Sequence, residues 1–254
     1  MSSSRRIITN NRILRQDYHS LQKDDVCLGR LRLKATEEHL LLDLVERGII
    51  LFPSALSQQL CRSKTFQAHL FAKEMLPLTL PVHDQHDMIA AVNFYHGKGV
   101  IKVVTKHDRK NAGMGILLWR GVEEVFNHST LGSLPYPFVL QPFAENSRDI
   151  RVIVLGDYIE SYTRHNPTNF RNNLHCGGLS KPCGLTQAQW LLCQHVMLRG
   201  KFPYAHIDLM ILEGGEVHLA EINLRGGIRG AEISPAEYRI KVEKIHQDFL
   251  SALC

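Results

Sequence analysis

Three oxygen-bearing side chains lie on two neighbouring apolar segments near the end of the chain. Asp208 lies in residues 206–212, and Glu221 and Asn223 close the segment that follows. A short Gly-rich link, residues 213–215, joins the two, and this pattern predicts a β-hairpin. Side chains two positions apart on a strand share a face, and a simple register about the link puts Asp208 level with Glu221. The hairpin therefore gathers two carboxylates and one amide.

Hard oxygen ligands of this kind suit Mg²⁺, which takes one or two carboxylates and completes its shell with water and phosphate; Mn²⁺ is an alternative metal. A solvent-facing hairpin edge with ordinary surface acids is the other interpretation of the same pattern. The loop after the hairpin favours the metal site, because Gly226, Gly227 and Gly230 alternate there with Arg225 and Arg229. A glycine-rich backbone is able to approach an anion closely.

Composition limits the class of protein that carries this hairpin. The 254 residues are 44% hydrophobic and 22% charged, which is typical of a globular protein of one large or two small domains. The net charge of +5 suits phosphate-bearing ligands but is too diffuse to favour nucleic acid. The six cysteines have no CxxC spacing, and no signal peptide or membrane-length apolar segment is visible. We expect a cytoplasmic protein with reduced thiols and no membrane partner.

Helix and strand patterns are mixed along the chain. Helices are predicted at residues 36–47, 57–75, 83–96, 122–127, 186–200 and 234–250. Strands are predicted at residues 26–33, 48–53, 100–105, 116–119, 136–143, 148–155, 158–164, 206–212 and 216–222. Because the order lacks regular βαβ alternation, the pattern predicts an α+β protein of two lobes with a cleft between them.

Two lysines and a basic turn are candidates for binding phosphate. Lys102 stands among the apolar residues of VIKVVT, where it is either a phosphate-binding charge or an edge-strand lysine that prevents aggregation. Lys64, on a predicted helix, has the same two interpretations. The basic turn of residues 106–115 contains Gly113 and Gly115. Its backbone amides are suited to cover phosphates as a flap, although most such turns are plain hairpin loops.

A cluster of Arg and Asn residues occupies the next two strands and the loop after them. It comprises Arg148, Asp149, Arg151, Arg164, His165, Asn166, Arg171, Asn172, Asn173 and His175. Such a cluster fits the carboxylate of an acidic substrate together with the terminal phosphate of a nucleotide. An RNA-binding loop is the other charged-ligand option, but no aromatic platform accompanies it.

Two segments of the chain resemble a known family. Residues 148–178, RDIRVIVLGDYIESYTRHNPTNFRNNLHCGG, resemble the D-I-R strand, turn and F-R-x-N-L-H-x-G-G loop of the RimK-like ATP-grasp carboxylate–amine ligases. Residues 205–227, AHIDLMILEGGEVHLAEINLRGG, resemble the strand aspartate and the E-x-N motif of that family. The resemblance covers about residues 61–250. It implies an α+β ATP-grasp fold of two α+β lobes with the nucleotide cleft between them.

The resemblance also implies a division of the chain into three parts. Residues 1–60 are a short, reduced N-terminal region. Residues 61–144 are the small lobe with the phosphate flap, and residues 145–254 are the C-terminal lobe with the magnesium and substrate sites.

Individual roles follow from the resemblance. It implies Mg²⁺ ligands at Asp208, Glu221 and Asn223. It implies ATP contacts by Lys64, Lys102, Gly113, Gly115, Gln141, Pro142, Phe143, Ala144, Asp149, Arg171 and Asn173. It implies substrate contacts by Arg151, Arg164, Arg225 and Gly226. It implies catalytic roles for Lys102, Arg151 and Arg171.

This chain departs from the family pattern at four places. The flap of the family is normally richer in glycine than KNAGMG, residues 110–115. The family hinge usually carries Gln-Glu where this chain has Gln141-Pro142, and proline lacks a backbone donor for adenine. After E-x-N the family commonly has a small residue, Ser, Pro and Gly, whereas here the loop contains Arg225 and Arg229 and suggests a more anionic substrate. The N-terminal region is short, so the substrate pocket is altered, truncated or completed by another subunit in a homo-oligomer.

The expected function is that of an ATP- and Mg²⁺-dependent ligase. It joins a small-molecule carboxylate and an amine, such as amino acids or peptide-like compounds, through an acyl phosphate and releases ADP and phosphate. Two alternatives stay open: a small-molecule kinase that lacks the amine step, and a non-catalytic nucleotide-binding sensor.

Overall fold

The computed structural model describes residues 5–110 and 113–253. Its strands are β1 Ile7–Ile8, β2 Val26–Leu28, β3 Ile50–Phe52, β4 Leu80–Val82, β5 Val103–His107, β6 Ile116–Trp119, β7 Phe138–Pro142, β8 Arg148–Leu155, β9 Tyr158–His165, β10 Leu179–Pro182, β11 Tyr204–Ile211 and β12 Val217–Asn223. Its α-helices are α1 Asn11–Asp17, α2 His39–Glu46, α3 Ala55–Leu60, α4 Lys64–Leu70, α5 Gln85–Gly97, α6 Val122–Thr130, α7 Gln187–Gly200 and α8 Pro235–Ser251. No described helix combines the length and the apolar character that a membrane crossing requires.

The N-terminal strands form a small parallel sheet in the order β1-β2-β3. Its core is a separate apolar cluster that includes Leu14 of α1, Cys27 of β2 and Leu44 of α2. Parallel neighbours need crossover connections, and α1 and α2 provide them. The unit is a short α/β layer that precedes the two larger sheets.

The second sheet is antiparallel, with the order β4-β7-β5-β6. Its apolar cluster includes Met88 and Tyr95 of α5, Val125 of α6 and Phe138 of β7. The Tyr95 hydroxyl donates hydrogen bonds to two backbone carbonyls, which satisfies the polar end of a fully buried ring. This sheet forms one wall of the cleft described below.

The third sheet is the largest and follows the antiparallel order β10-β9-β8-β11-β12. One of its faces is covered by helices, and the fully buried Val152, Ile207 and Ile222 stand side by side there on β8, β11 and β12. Leu60 of α3, Ala68 of α4 and Phe71, the C-cap of α4, belong to the same cluster. Helix α3 at the end of residues 1–60 and helix α4 at the start of residues 61–144 thus both pack on the C-terminal sheet, and the predicted three-part division of the chain stays a prediction.

Three predicted elements differ from the structure in ways that affect the site. The strand predicted at residues 26–33 is β2, which ends at Leu28. The helix predicted at residues 57–75 is two helices, because the Ser63 side chain accepts a hydrogen bond from Phe66 N and starts α4 as its N-cap. The strand predicted at residues 100–105 is β5, which begins three residues later, at Val103. This shift leaves Lys102 before the strand and places Lys106 within it.

The hairpin of β11 and β12 has the predicted register. Asp208 pairs with Glu221, and His206 pairs with Asn223. An irregularity follows between Asp208 and Leu209, so the register changes only beyond the pair that carries the acids. The strand alternation therefore puts Asp208, Glu221 and Asn223 on the same face of the sheet, as expected.

We predict that Ile207→Ala lowers the free energy of unfolding by about 2–5 kcal/mol, because it removes methylene groups from the middle of the largest buried cluster. Ile159→Ala in the same sheet removes a side chain that is 45% exposed, and we expect a loss below about 1 kcal/mol. Urea unfolding at constant temperature measures both. Equal losses in the two variants would contradict the placement of the core on this face.

Candidate active site

One face of the five-stranded sheet carries a row of charged side chains across four strands. Arg151 of β8 pairs with Asp208 of β11, and Asp208 pairs with Glu221 of β12. One pleat away, Asp149 pairs with Arg164 of β9. Because side chains alternate along each strand, these residues all point to the face opposite the helices. The side chains form a row because the registers of the β8–β9, β8–β11 and β11–β12 pairs place them at neighbouring positions.

This face forms the floor of a cavity of about 660 Å³ between the five-stranded and four-stranded sheets. Most of the predicted site residues line it. They are Gly113, Gln141, Phe143, Ala144, Asp149, Arg151, Arg164, Arg171, Asn173, Asp208, Glu221, Asn223, Arg225 and Gly226. The structure thus brings residues from the flap, the hinge, four strands of the large sheet and two loops to a single cleft.

Four of the predicted residues are not among those that line this cavity. They are Lys64, Lys102, Gly115 and Pro142. Lys64 is close by, since its Nζ lies 3.3 Å from Glu221 Oε1 and it lines a small neighbouring cavity. Lys102 is exposed and forms an ion pair of 2.7 Å with Glu145, away from the cleft.

Lys106 occupies the position inside the cleft that the sequence suggested for Lys102. It shares the face of β5 with Val104, and both line the cavity. Its Nζ lies 3.4 Å from the Ala220 carbonyl oxygen. Burial lowers the pKa of Lys106, while the nearby Glu221 acts in the opposite direction. Lys106 follows Val104 by two residues, a spacing that puts both side chains on one face of a strand. The strand predicted from the sequence ends at residue 105 and therefore leaves Lys106 out.

Asp208 lies at the centre of a buried ion-pair network. Arg151 donates to both of its carboxylate oxygens, at 2.7 and 2.8 Å, and Arg164 Nη2 lies 3.0 Å from Oδ2. Arg164 also donates to both oxygens of Asp149. Two acids and two guanidinium groups therefore balance their charges on one sheet face, which buried ions require.

The network sets the ionisation of its two acids. Burial disfavours the charged form of Asp208, but Arg151 and Arg164 outweigh this effect and hold its pKa below the usual range. Burial raises the pKa of Asp149, and Arg164 opposes that change. Asp208 is therefore a carboxylate at neutral pH, which is the state that a metal ligand needs.

Several contacts hold the described residues of the flap, 106–110 and 113–115, over the cleft. The Asp108 side chain accepts a hydrogen bond from Thr65 N at 3.0 Å, and Lys64 Nζ donates to the Lys110 carbonyl at 2.6 Å. Arg109 forms a two-pronged ion pair with Glu38 of the N-terminal unit, with Nη2 at 2.9 Å from Oε2. Asn111 and Ala112 lie outside the described residues.

Two further contacts join the flap and the first residue of β6 to the Asn-rich loop, residues 166–178. Arg171 Nε donates to the Ile116 carbonyl at 3.1 Å. Gly113 has φ +76°, and a Cβ there would overlap the side-chain amide of Asn173. Glycine is therefore required at this position for both its conformation and its close approach.

The hinge between the sheets is short of free backbone donors. Pro142 has no N–H, and Phe143 N donates to the Lys102 carbonyl at 2.9 Å. No hydrogen bond is formed by Ala144 N within residues 5–110 and 113–253. Ala144 is thus the hinge residue whose N–H remains for a ligand.

The loop after β12 rests on a buried histidine. His206 Nε2 lies 3.0 Å from the Tyr238 hydroxyl, and its Nδ1 has no partner in the described part of the chain. Burial, with Arg151 beside it, lowers the pKa of His206 to about 3, so the ring is neutral. A Cβ at Gly226 would come within 2.8 Å of His206 Nδ1. The loop passes this close to the ring only because residue 226 is glycine.

The donor set fits a magnesium ion. Asp208 and Glu221 are directly opposed across two strands, and Asn223 follows on the same face. Among the described residues, no group of three or more His, Cys, Asp and Glu side chains is arranged to hold a metal. A metal here relies on two carboxylates and one amide, with water and phosphate completing its shell, as Mg²⁺ prefers.

Sequence reasoning missed three other residues of this region. Arg30 lines the cavity although it is far in sequence from the motifs, and Cys61 lines it three residues before Lys64. Glu38 reaches the flap from the N-terminal unit. Only the fold brings these residues to the site, and the sequence carries no local signal for them.

The RimK-like ATP-grasp domain model matches residues 62–243 of the chain. Among curated proteins, a probable alpha-L-glutamate ligase of Trichodesmium erythraeum is 27% identical over 197 residues, which are 73% of this chain and 63% of that protein. N-acetylaspartylglutamate synthase A of Mus musculus is 28% identical over 130 residues, 49% of this chain and 34% of that protein. The chain spans less than two thirds of the length of either relative.

Solved structures share the fold. The D-cycloserine synthetase DcsG superposes with a TM-score of 0.64 at 15% identity, covering 87% of this chain and 84% of that one. The VanG D-Ala:D-Ser ligase of Enterococcus faecalis gives 0.62 at 16% identity, covering 87% and 73%. At these identities the likeness establishes the fold, which is the predicted α+β ATP-grasp architecture.

We predict that Lys106→Met weakens the binding of Mg-ATP about tenfold or more, because a charge-assisted contact to phosphate is lost from the cleft. Lys102→Met is the matched control, and we expect its affinity to stay within about twofold of the parent, since Lys102 pairs with Glu145 in solvent. Titration calorimetry measures both. A larger loss in Lys102→Met than in Lys106→Met would show that the wrong lysine has been assigned.

We predict that the Arg109–Glu38 ion pair holds the flap closed. Arg109→Met and Glu38→Gln should each raise amide hydrogen exchange in residues 105–110 and 113–116, and the double variant should add little, with a coupling of about 0.5–1 kcal/mol. Additive effects of the two substitutions on hydrogen exchange would show that this ion pair does not hold the flap closed. Arg120→Met, an exposed arginine beyond β6, serves as the control.

Proposed function

The chain belongs to the RimK-like ATP-grasp family, and from that premise we propose that it is an ATP- and Mg²⁺-dependent carboxylate–amine ligase. It joins a carboxylate and an amine of amino acid or peptide type, through an acyl phosphate, and releases ADP and phosphate. The observation that carries the proposal is the convergence of Asp208, Glu221, Asn223 and Lys106 in one cleft with the hinge and the flap.

The apolar end of the cleft suits adenine. Val104, Ile116, Phe143 and Met210 line it from both sheets and from the hinge. A flat aromatic base buries its faces well against such side chains. The free N–H of Ala144 then provides a hydrogen-bond donor, which replaces the donor that Pro142 lacks.

The opposite end of the cleft suits the phosphates. Lys106 provides a point charge from a rigid strand, and Lys64 provides a second at the first turn of α4. Asp208, Glu221 and Asn223 would hold Mg²⁺ there, and the ion supplies neutralisation of phosphate charge and polarisation of the phosphoryl group. Arg171 contacts Ile116 and Asn173 lies against Gly113 of the flap. These contacts close the cleft over the nucleotide and shield it from water.

The substrate side of the cleft is rich in arginine. Arg151 is committed to Asp208, but its Nη1 also reaches the Gly227 carbonyl at 3.3 Å and supports the loop after β12. Arg225 on that loop is exposed and forms no ion pair within the described chain. We assign to Arg225 the binding of the substrate carboxylate. Arg151 and Arg164 instead hold the charged side chains of the sheet face beneath it in place. Catalysis on this arrangement is mainly positioning and electrostatic stabilisation.

The test is to incubate the protein with ATP, Mg²⁺ and pooled amino acids and to measure ADP and new masses together. We expect ADP and an amide-linked mass, and we expect Glu221→Gln to reduce both at least about 100-fold because a ligand to the phosphate-neutralising ion is lost. Glu213→Gln in the turn of the same hairpin is the control, since Glu213 is exposed and makes no ion pair within the described residues.

Other outcomes of the same experiment separate the alternatives. ADP with a stable phosphorylated product and no amine requirement would identify a kinase. Binding of Mg-ATP without turnover in any substrate pool would favour a nucleotide sensor. Equal ADP formation in Glu221→Gln and the parent would refute the assignment of the metal site.

A further inference from the structure

Strand β12 lies at one end of the five-stranded sheet, so the backbone groups on its outer side need partners from other elements. These partners come from residues 61–75. Leu219 N donates a hydrogen bond to the Glu74 carbonyl at 2.7 Å. Leu224 N donates to Cys61 Sγ at 2.9 Å. Residues 61–75 therefore cover the outer edge of the strand that carries two of the proposed metal ligands.

Between these two contacts, the outer edge of β12 is paired with the side chain of Gln67, on α4. Gln67 Nε2 donates to the Ile222 carbonyl at 2.9 Å, and Gln67 Oε1 accepts from Ile222 N at 3.0 Å. The second Nε2 hydrogen goes to the Leu60 carbonyl at 2.8 Å. These partners together fix which end of the amide is the donor. Gln67 is 1% exposed, so water does not compete for its contacts.

The contacts of Gln67 lie between two of the proposed metal ligands. The Ile222 N–H belongs to the peptide unit that begins at Glu221, and the Ile222 carbonyl belongs to the unit that ends at Asn223. One side-chain amide therefore holds both of the planar peptide units that flank Ile222. Because the Ile222 side chain is fully buried on the helix-covered face, Glu221 and Asn223 are directed into the cleft.

The backbone at this point needs support because the hairpin is irregular just before it. Leu209 pairs with Leu219. The next pair is Asp208 with Glu221, so Ala220 is the extra residue of a bulge. A bulge disrupts the ladder locally and bends the strand. Contacts to β11 alone therefore hold the backbone beside Glu221 less firmly than a regular ladder would.

Helix α4 makes a second contact with the same part of β12. Lys64 lies one turn before Gln67, on the same side of the helix, and its Nζ lies 3.3 Å from Glu221 Oε1. The Ser63 side chain caps the helix and fixes where it begins. Helix α4 thus holds the carboxylate of Glu221 through Lys64 and the neighbouring backbone through Gln67.

We propose that Gln67 is a positioning residue of the metal site, which acts through the backbone of Ile222 and does not itself bind the metal. It holds Glu221 and Asn223 in the geometry of metal ligands before the metal arrives. An amide is required at residue 67, because it offers a donor and an acceptor side by side, as a neighbouring strand would. The inference rests on the proposed function for the identity of the metal site.

The test compares the affinity for AMP-PNP, a non-hydrolysable ATP analogue, in Mn²⁺ and in EDTA, measured by titration calorimetry. The ratio of the two affinities reports on the metal site, because partial unfolding of a variant lowers both affinities equally. Gln67→Met keeps the size of the side chain and removes its amide. We expect it to reduce the ratio about tenfold, as the loss of an outer partner of a metal site commonly does. Gln67→Asn keeps an amide on a shorter side chain, and we expect a smaller reduction.

Gln58→Met is the matched control. Gln58 is also fully buried, and its amide also pairs with backbone groups. It accepts from Leu31 N at 2.9 Å and donates to the Pro53 carbonyl at 2.8 Å. These contacts support the N-terminal unit, so Gln58→Met should lose a similar amount of stability in urea but keep the ratio of the parent.

A second measurement needs no variant. Amide hydrogen exchange of the metal-free parent, followed by NMR, should be about as slow at Ile222 as at Ile207, the residue opposite it on a central strand. The reason is that the Ile222 N–H is bound to a buried amide although it lies on the outer edge. Fast exchange at Ile222 would overturn the inference whether or not the Gln67 variants fold.

Three results of the calorimetry would also overturn the inference. They are an unchanged ratio in Gln67→Met, an equal fall of the ratio in Gln58→Met, and AMP-PNP binding by the parent that Mn²⁺ does not strengthen. The proposed function is judged separately, by ADP and amide-linked product from the parent. A ratio that falls only in the Gln67 variants, with no ADP from any substrate pool, supports the inference and counts against the ligase. Amide formation by the parent with an unchanged ratio in Gln67→Met does the reverse.

Discussion

The candidate site depends on the ionised carboxylate of Asp208, which is held between two arginines on the central strands of the largest sheet. Arg151 and Arg164 come from β8 and β9, and both reach Asp208 because the strands are in register. Burial of an unpaired carboxylate would be strongly unfavourable, and the ion pairs with the two arginines offset this free-energy cost. The same pairing keeps Asp208 charged, and it fixes the floor on which the rest of the cleft is built.

The parts of the cleft above this floor are held less firmly. The contacts between Arg109 and Glu38 and between Lys64 and the Lys110 carbonyl join the flap to other elements. Arg109 is 40% exposed, so water and salt weaken its ion pair. A rigid charged floor under a weakly held flap is the arrangement that a site needs in order to admit a nucleotide and then exclude water.

The N-terminal unit contributes more to the site than its short length suggests. It supplies Glu38 to the flap, and residues 30–34 line a second cavity beside the cleft. Arg30 lies where the two cavities meet. A region that resembles a reduced version of a larger domain thus borders both the flap and the mouth of the cleft.

The sequence by itself determined the hairpin that presents Asp208, Glu221 and Asn223, because a two-residue strand period and a short Gly-rich link fix that geometry locally. The family resemblance added the hinge and the Asn-rich loop, most of whose residues line the cleft. Only the tertiary structure decided that Lys106 rather than Lys102 enters the cleft, since the start of β5 depends on its pairing with β6 and β7. It also brought Arg30 and Glu38 to the site, because packing between distant segments leaves no periodic or local signal in the chain.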